Sequence, residues 1–355
     1  MGFIRFLSTP ASSRRASNRC RCMALLGLCV LEVLLSAMPA TASLMDIEPF
    51  QTRNQNPLIR IFGIPSIGSA FVIPAGKLEG ALQADLANNF AHASAPGESI
   101  MLDGEAYDFT LSLRYGIAKD LEVGVEIPYL MISGGFLDGF IEGFHDFFGF
   151  SNGSRKSYPR NRLLYQYTRN GGTKVLVDKD SSGIGDIRFT GAWQLYRSNA
   201  EARRAVALHA AVKLPTGNSN RLFGSGSTDF SLWLTASDDY RLPLGHLTLY
   251  GAAGGMVMTD GDVLEDQQRN LAAFGSLGIG WSPLDWLALK VQTDGDTSIY
   301  TGSSLEEVNS GSVQITAGGT IGLTRNTFLD IGVTEDLIAI SAPDVVFHLA
   351  LRSRF

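Results

Sequence analysis

Cysteine is nearly absent from this sequence, and the little there is lies at one end. The 355-residue chain has three cysteines, Cys20, Cys22 and Cys29, all within the first 42 residues. If that segment is removed on export, no thiol remains to form a disulfide or to act as a nucleophile. Disulfide-stapled scaffolds and thiol enzymes are therefore excluded for the rest of the chain.

Long apolar runs are also missing after the N-terminal segment. No later stretch reaches the roughly 20 apolar residues that a transmembrane helix needs. We therefore expect no transmembrane helix in the mature protein.

Residues 1–42 themselves have the pattern of a secretory signal peptide. Five arginines precede an apolar run from Met23 to Met38, and Ala40-Thr41-Ala42 offers a small-residue cleavage site. We predict that Ser43 is the first mature residue.

Basic charge is in deficit after cleavage. Residues 1–42 carry five arginines and one glutamate, so their loss leaves 24 basic and 34 acidic residues and a net charge of −10. Nucleic acid is not an expected partner, because phosphate binding needs a basic surface.

What the mature sequence has in abundance is alternation. From Tyr107 to Ile117 every second residue is apolar, with Asp108 and Arg114 among the residues between them. A period of two with one apolar face predicts a half-exposed strand. The pattern recurs and predicts strands at about 78–90, 106–118, 121–132, 184–196, 204–214, 228–240, 246–258, 270–282, 285–297, 311–323, 326–339 and 344–355.

The connections between these strands alternate in length. Long ones are predicted at 91–104, 133–183, 215–227, 259–269 and 298–310, and short ones between them. Long outer loops and short inner turns are typical of outer-membrane barrels. The last strand ends in an aromatic residue, Phe355, as do barrel strands that the barrel assembly machinery recognises, and we expect that machinery as a partner.

Together these features predict an all-β protein, a transmembrane antiparallel up-and-down β-barrel of about twelve strands over residues 77–355. A soluble β-sandwich also alternates, but it does not need so many long strands or this loop asymmetry. Lipid offers no hydrogen-bond partners, so a spanning sheet has to close on itself. We expect location in the Gram-negative outer membrane with both termini in the periplasm.

Two segments fall outside the strand pattern. Residues 43–76 contain proline and asparagine and predict a periplasmic N-terminal arm, for which folding into the barrel is an alternative. In the 133–183 loop, phenylalanine recurs every fourth residue, which predicts an amphipathic helix. This helix either packs on the rim, or dips into the outer leaflet, or folds into the mouth, and its gate candidates are Phe136, Phe140, Phe144, His145 and Phe148.

Strand parity places polar side chains toward the lumen. The principal candidates for lining it are Asp108, Arg114, Glu122, Glu126, Asp186, Arg188, His209, Lys213 and Lys290. The same parity points Asp85, Gln194, Asp229, Thr235, Gln292 and Asp330 inward. The mixed signs fit either a salt-bridged, filled interior or a selective pore.

No catalytic, cofactor or metal site is predicted. His209 and His348 face inward by parity, but no serine motif accompanies them, and the five histidines form no H-x-x-H or H-E-x-x-H motif. We therefore expect a protein that is not an enzyme.

Several short phrases resemble those of known barrel families. GIGDI at 183–187 and KLPTG at 213–217 resemble outer-membrane proteins of the phenol meta-pathway transporter type. NQNPL at 54–58, FGIP at 62–65 and GFHDFFGFSNGSR at 143–155 are similar to the uncharacterised proteobacterial barrel family catalogued as domain of unknown function three-one-eight-seven. That family implies no substrate, and the broader group implies uptake of hydrophobic or aromatic compounds by analogy alone.

Three functions remain open from the sequence. The first is a passive channel or binding barrel for small solutes, including hydrophobic or aromatic ones. The second is a structural or surface-interaction barrel with a blocked lumen, and the third, least favoured, is a lipid-modifying enzyme. In each case the expected surroundings are outer-membrane lipid and lipopolysaccharide.

Overall fold

The structure, a computed structural model, describes residues 45–148, 157–198, 203–337 and 341–355, and side chains are described for all of these except residues 144–148. Its strands are β1 (Leu78–Ala95), β2 (Glu98–Ala118), β3 (Leu121–Ser133), β4 (Leu164–Arg169), β5 (Gly172–Val177), β6 (Ser181–Ile184), β7 (Arg188–Arg197), β8 (Arg204–Lys213), β9 (Asp229–Arg241), β10 (His246–Met258), β11 (Leu271–Leu284), β12 (Leu287–Asp296), β13 (Ser312–Gly322), β14 (Thr327–Asp336) and β15 (Val345–Arg354). Its helices are α1 (Asp138–Phe148) and the single turn α2 (Glu306–Asn309).

Twelve of these strands, β1–β3 and β7–β15, form a closed antiparallel barrel. Each pairs with its neighbours in sequence, and β15 returns to pair with β1, with Leu351 opposite Leu82. Closure leaves no strand edge without a hydrogen-bonded neighbour, which is the condition for spanning lipid. The predicted fold class and strand number are confirmed.

The two ends of the barrel differ. At one end, here the turn end, short connections such as Lys119-Asp120 and 285–286 join the strands. At the other, here the loop end, the connections are longer and carry β4–β6, α1 and α2.

The outer wall is apolar and exposed, whereas the inner wall is polar and buried. Leu277 is 73 % exposed and Trp193 55 %, while the alternate residues Gln194 and Ser276 are buried. A water-soluble protein places these residue types the other way round. The wall therefore has the polarity of a membrane-spanning barrel.

No helix among the described residues is long and apolar enough to cross a membrane.

The predicted loop at 91–104 is wrong. β1 and β2 continue as a long hairpin, with Ser94 opposite Ser99, and turn at Pro96-Gly97. Gly97 has φ +80°, a conformation that favours glycine. The hairpin is extended in part because β4 pairs with β2 over Glu98–Asp103 and continues the sheet above the barrel.

The helix in the 133–183 insertion lies on the outside of the barrel. Leu137 and Ile141 of α1 pack on Val345 and on the partly buried Phe347, which face outward from β15. Glu105 accepts hydrogen bonds from the backbone N–H groups of Phe136 and Leu137, at 2.8 and 2.5 Å. The helix therefore covers the outer wall at the loop end.

The outer wall supplies the first test. Leu277 lies near the middle of β11, so Leu277→Arg places a charge against the lipid interior. We expect a loss of about 2–4 kcal/mol in the free energy of unfolding in bilayers, because the penalty is greatest at the midplane. Leu284→Arg, at the turn end of the same strand, should cost about 1 kcal/mol or less. Equal effects at both positions in urea titrations of liposome-inserted protein would contradict this membrane placement.

Candidate functional site: the lumen and its N-terminal arm

The lumen is lined by the polar residues that strand parity points inward. The nine principal candidates are all buried or partly buried inside the wall: Asp108, Arg114, Glu122, Glu126, Asp186, Arg188, His209, Lys213 and Lys290. The lumen is not empty, because residues 45–74, here the arm, fold into it. Their polar atoms bond to inward-facing residues of most of the strands, as the contacts below show.

The first leg of the arm runs along the inner face of β12. Phe50 exchanges hydrogen bonds with the side chain of Gln292, at 2.9 and 3.2 Å. Thr52 donates to Asp294 at 2.8 Å, and Lys290 donates to the carbonyl of Glu48 at 3.0 Å. Each arm residue is 242 positions before its partner, so the leg is extended and runs in the same direction as β12.

The arm turns back at the loop end. The side-chain oxygen of Asn56 accepts from the N–H of Leu58, and its carbonyl accepts from the N–H groups of Ile59 and Arg60, each at 2.9 Å. These bonds form one helical turn. The Asn-Pro-Leu phrase suits this position because both oxygens of Asn56 accept backbone N–H groups of the turn. Residues 56–62 are here called the tip.

The tip is apolar and enters a core at the loop end. Leu58 and Phe62 belong to one buried cluster with Tyr165 and Tyr167 of β4 and Tyr300 of the 297–311 loop. Tyr300 donates to the carbonyl of Leu58 at 3.0 Å, and its ring lies edge-on to Phe62 with centroids 5.7 Å apart. Burial raises the pKa of Tyr300, since the charged phenolate is disfavoured there.

The second leg descends along β7–β9. Asp229 accepts from the N–H of Gly63 at 2.7 Å, and Trp233 donates to the carbonyl of Ile67 at 2.8 Å. Gln194 bonds to Ala70 and Val72, at 2.8 and 3.1 Å. A Cβ on Gly63 would come within 2.9 Å of Asp229, so this approach requires glycine.

Ion pairs anchor the arm at the turn end. Glu48 pairs with Arg352 at 2.9 Å and also with Arg354, and Asp46 pairs with Arg354 at 3.4 Å and also with Arg203. Wall residues complete this network, where Glu79 meets Arg114 and Arg354, and Glu122 meets Arg114 at 3.2 Å.

A second ionic group lies halfway along the lumen. Arg53 of the arm pairs with Asp108 at 3.3 Å and with Glu126 at 3.4 Å, and Arg188 shares Glu126 at 3.4 Å. The arm therefore supplies one of the cations that balance the carboxylates of the wall.

Lys213 joins the wall, the loops and the tip. Its ammonium group pairs with Asp186 at 2.6 Å and Asp229 at 3.2 Å, and donates to the carbonyl of Ile61 at 3.1 Å and to Ser225 at 2.5 Å. It is among the most deeply buried side chains of the barrel.

The GIGDI and KLPTG phrases form one interlocked unit around Lys213. Asp186 accepts from the N–H of Gly217 at 2.8 Å. The hydroxyl of Thr216 donates to the carbonyl of Gly185 and accepts from the N–H of Ile187, both at 2.9 Å. Their role in this chain is to lock β7 to β8 at the loop end.

Lys290 forms a comparable pair on the other side of the lumen. It bonds to Asp330 at 2.7 Å, and its ammonium group lies 3.9 Å from the centroid of the Phe50 ring. Phe50 of the arm thus covers this cation through a cation–π contact.

The inward histidines bond to side chains of the neighbouring wall strands. His209 stacks on Trp233 at 5.2 Å and bonds to Thr235 at 3.0 Å, and His348 bonds to Asp85 at 2.6 Å. Within the described ranges no group of three potential ligands among His, Cys, Asp and Glu is placed to hold a metal ion. The expectation that the protein is not an enzyme stays a prediction.

The helix with the proposed gate residues does not constrict the mouth. Phe136 and Phe140 are exposed on the outer face, and Phe140 lies 6.0 Å from the ring of Phe347. The side chains of Phe144, His145 and Phe148 lie outside the described residues. The helix lies outside the mouth because Leu137 and Ile141 pack on apolar side chains of the lipid-facing side of β15.

Little free space remains beside the arm. A cavity between its two legs and the wall of β1–β3 has about 60 Å³ of free space, enough for about four to six water-sized particles. Arg114, Glu122 and Arg352 are among the charged groups that line it. This cavity has room for a few water molecules.

Comparisons with known proteins give a family and distant structural likenesses. The family model described as Protein of unknown function (DUF3187) matches residues 25–355. A search of curated proteins found no match.

Three solved structures resemble the fold. An outer-membrane channel of Pseudomonas putida F1 is 14 % identical, with a TM-score of 0.49 over 80 % of this chain and 97 % of that one. CdiB from Acinetobacter baumannii is 10 % identical, with a TM-score of 0.37 over 88 % and 74 %. The toluene transporter TbuX from Ralstonia pickettii is 10 % identical, with a TM-score of 0.35 over 90 % and 97 %. Likenesses this distant carry no inference about what the present barrel transports.

Lys213 gives the test of the lumen network. Lys213→Met leaves the carboxylates of Asp186 and Asp229 without their cation, and breaking a buried pair from one side costs about 3–5 kcal/mol. We expect that loss in the free energy of unfolding, and partial recovery when Asp229→Asn is added. Lys174→Met, which breaks the exposed pair with Asp266, should cost about 1 kcal/mol or less. A Lys213→Met barrel as stable as the parent in urea would contradict the network.

Proposed function

Because the chain belongs to the family described as Protein of unknown function (DUF3187), whose description names no activity, we propose a function from the lumen itself. The protein is an outer-membrane channel for small solutes that its N-terminal arm holds closed. The loop end is extracellular, and the turn end and both termini are periplasmic. Lipopolysaccharide and lipid surround it, and the barrel assembly machinery inserts it through the strand that ends at Phe355.

The observation that carries this proposal is how the arm is held. The first leg is fixed to the wall by ion pairs and hydrogen bonds, such as Glu48 with Arg352. The second leg is fixed by hydrogen bonds, such as Gly63 with Asp229. Water can replace contacts of this kind at a modest net free energy. An arm held in this way can leave the lumen while the hydrogen-bonded wall stays closed.

The tip supports a preference for small apolar or aromatic solutes. When it leaves, the surfaces of Tyr165, Tyr167 and Tyr300 that now contact Leu58 and Phe62 become free to face the lumen. Such surfaces suit an aromatic solute through stacking and apolar contact. Below them the wall stays charged, so the path runs from an apolar mouth to a polar exit.

The same tip favours a second candidate, a barrel that stays closed and acts through its outer loops. Tyr165, Tyr167 and Tyr300 are fully buried against it. A core of this size resembles a permanent fold element more than a movable plug. Deciding between the two requires a variant that loosens the arm without removing the tip.

The double variant Asp46→Asn/Glu48→Gln does this, because it removes the carboxylates that hold the arm to Arg203, Arg352 and Arg354. Hydrogen bonds to charged groups contribute about 1.5–3 kcal/mol, so we expect at least about a tenfold rise in open probability in planar bilayers. Deletion of residues 45–73 should give a permanently conducting barrel.

The matched control removes two exposed carboxylates of the loop end, Glu265→Gln/Glu306→Gln, and should leave the open probability unchanged. If neither the loosened variant nor the deletion conducts, although both are folded and heat-resistant in detergent, the closed-barrel function holds instead.

A further inference from the structure

A small cavity lies where the tip of the arm meets the wall. Arg60 of the tip, Arg188 of β7 and the carboxylates of Asp108 and Asp186 border it. The rest of its lining is apolar and includes Phe223. It has about 10 Å³ of free space, which is roughly the volume that one water-sized particle needs.

The two arginines have unused hydrogen-bond donors. The Nε and Nη1 atoms of Arg60 and the Nε atom of Arg188 are buried and have no hydrogen-bond partner. Arg60 is only 6 % exposed and Arg188 only 4 %. Leaving a buried charged donor unsatisfied is costly, so an occupant that accepts hydrogen bonds would stabilise the site.

The bonds that the two arginines do form are long. Arg60 donates to the carbonyl of Leu222 at 3.4 Å. Arg188 donates to Glu126 and to the carbonyl of Phe62, each at 3.4 Å. Both guanidinium groups can therefore form shorter hydrogen bonds to another acceptor.

The nearby carboxylates are already engaged. Asp108 accepts from Arg53 and Thr110, and Asp186 accepts from Lys213 and from the N–H of Gly217. Over the described ranges Arg60 forms no ion pair. Asp108 nevertheless borders the same cavity, and the wider group of charges is balanced.

We propose that this cavity binds one small monovalent anion, chloride in the physiological case, between Arg60 and Arg188. An anion only accepts hydrogen bonds, which matches three free donors on two cations. A water molecule held there instead would give no anomalous signal, so the diffraction test below separates the two occupants.

The site also has a consequence for the proposed channel, and this part rests on that proposal. Arg60 belongs to the arm and Arg188 to the wall, so an anion between them ties the tip to the barrel. Chloride then favours the closed arm, and its loss favours opening.

Bromide anomalous diffraction tests the site without reference to conduction. Crystals of the full-length mature protein grown with bromide should show an anomalous peak between Arg60 and Arg188. No peak there, or peaks at the surface alone as from an adventitious ion only, would overturn the proposal.

Unfolding in detergent at constant ionic strength gives a second, independent measurement. With chloride at ten times its dissociation constant in place of gluconate, the unfolding equilibrium constant should fall about 11-fold. Arg60→Gln should lose this response, whereas Arg221→Gln, which changes an exposed arginine next to Leu222, should keep it. A wild-type barrel that unfolds identically in both salts would contradict the site.

Open probability in bilayers separates this inference from the proposed function. In the wild type, chloride should give a lower open probability than gluconate, and Arg60→Gln should abolish the difference. A bromide peak in a barrel that never conducts after arm deletion leaves the anion site standing and removes the channel. If the arm-deleted barrel conducts and the full-length protein shows no bromide peak, the channel stands and the anion site is ruled out.

Discussion

The constraint on which the rest depends is that a barrel with an apolar outside has to satisfy the charges on its inside. Strand parity turns every second residue inward, and in this chain many of those residues are ionisable. A charge inside a closed wall is stable only when it is paired or hydrated. With the arm inside the twelve-stranded lumen, many of the inward charges are stabilised by pairing with it or with one another.

The arm supplies much of that pairing. Its legs carry Asp46, Glu48 and Arg53, whose signs complement the wall residues opposite them. Its backbone provides carbonyls for Lys290 and Lys213. The arm is thus part of the interior and not an appendage, and this explains why the first leg keeps one register with β12 along its length.

The legs and the tip of the arm are held by different kinds of interaction. The first leg is held largely by ion pairs, and both legs add hydrogen bonds and small apolar contacts such as those of Ile47 and Val72. The tip is held by apolar packing with three buried tyrosines. In the proposed channel, an electrostatic change would release the turn-end part of the arm, whereas the tip would leave only if another apolar surface replaced it. That asymmetry would let the proposed channel discriminate among solutes.

Sequence reasoning went furthest where one local rule decides the structure. Period-two alternation located the barrel strands to within a few residues, because each has lipid on one face and the lumen on the other. The β1–β2 hairpin was missed, because residues 91–104 leave the membrane and pair with β4, a contact that no local pattern reveals. Parity also predicts that Asp186 and Lys213 face the lumen. It does not predict that they contact each other, because that contact depends on the register between β7 and β8.

The arm was the hardest part to predict. Asp46, Glu48 and Arg53 were not singled out, because their partners lie between 55 and more than 300 residues away. The one available signal was the spacing of Asp46 and Glu48, which matches the inward arginines Arg352 and Arg354 at the same period of two. This match in spacing identifies the arginines as partners only when the arm is already known to lie inside the barrel.

The most direct test of the central claim is cysteine cross-linking in intact outer membranes, since residues 43–355 contain no cysteine. Thr52→Cys/Asp294→Cys places two thiols where the native side chains are 2.8 Å apart. If the arm fills the lumen, this pair should cross-link readily and change the electrophoretic mobility. Thr52→Cys/Asp229→Cys should not, because Asp229 on β9 faces the second leg instead. Equal cross-linking of both pairs would show that the arm lies outside the barrel. So would a Thr52→Cys variant that cross-links with neither partner and reacts freely with a membrane-impermeant reagent.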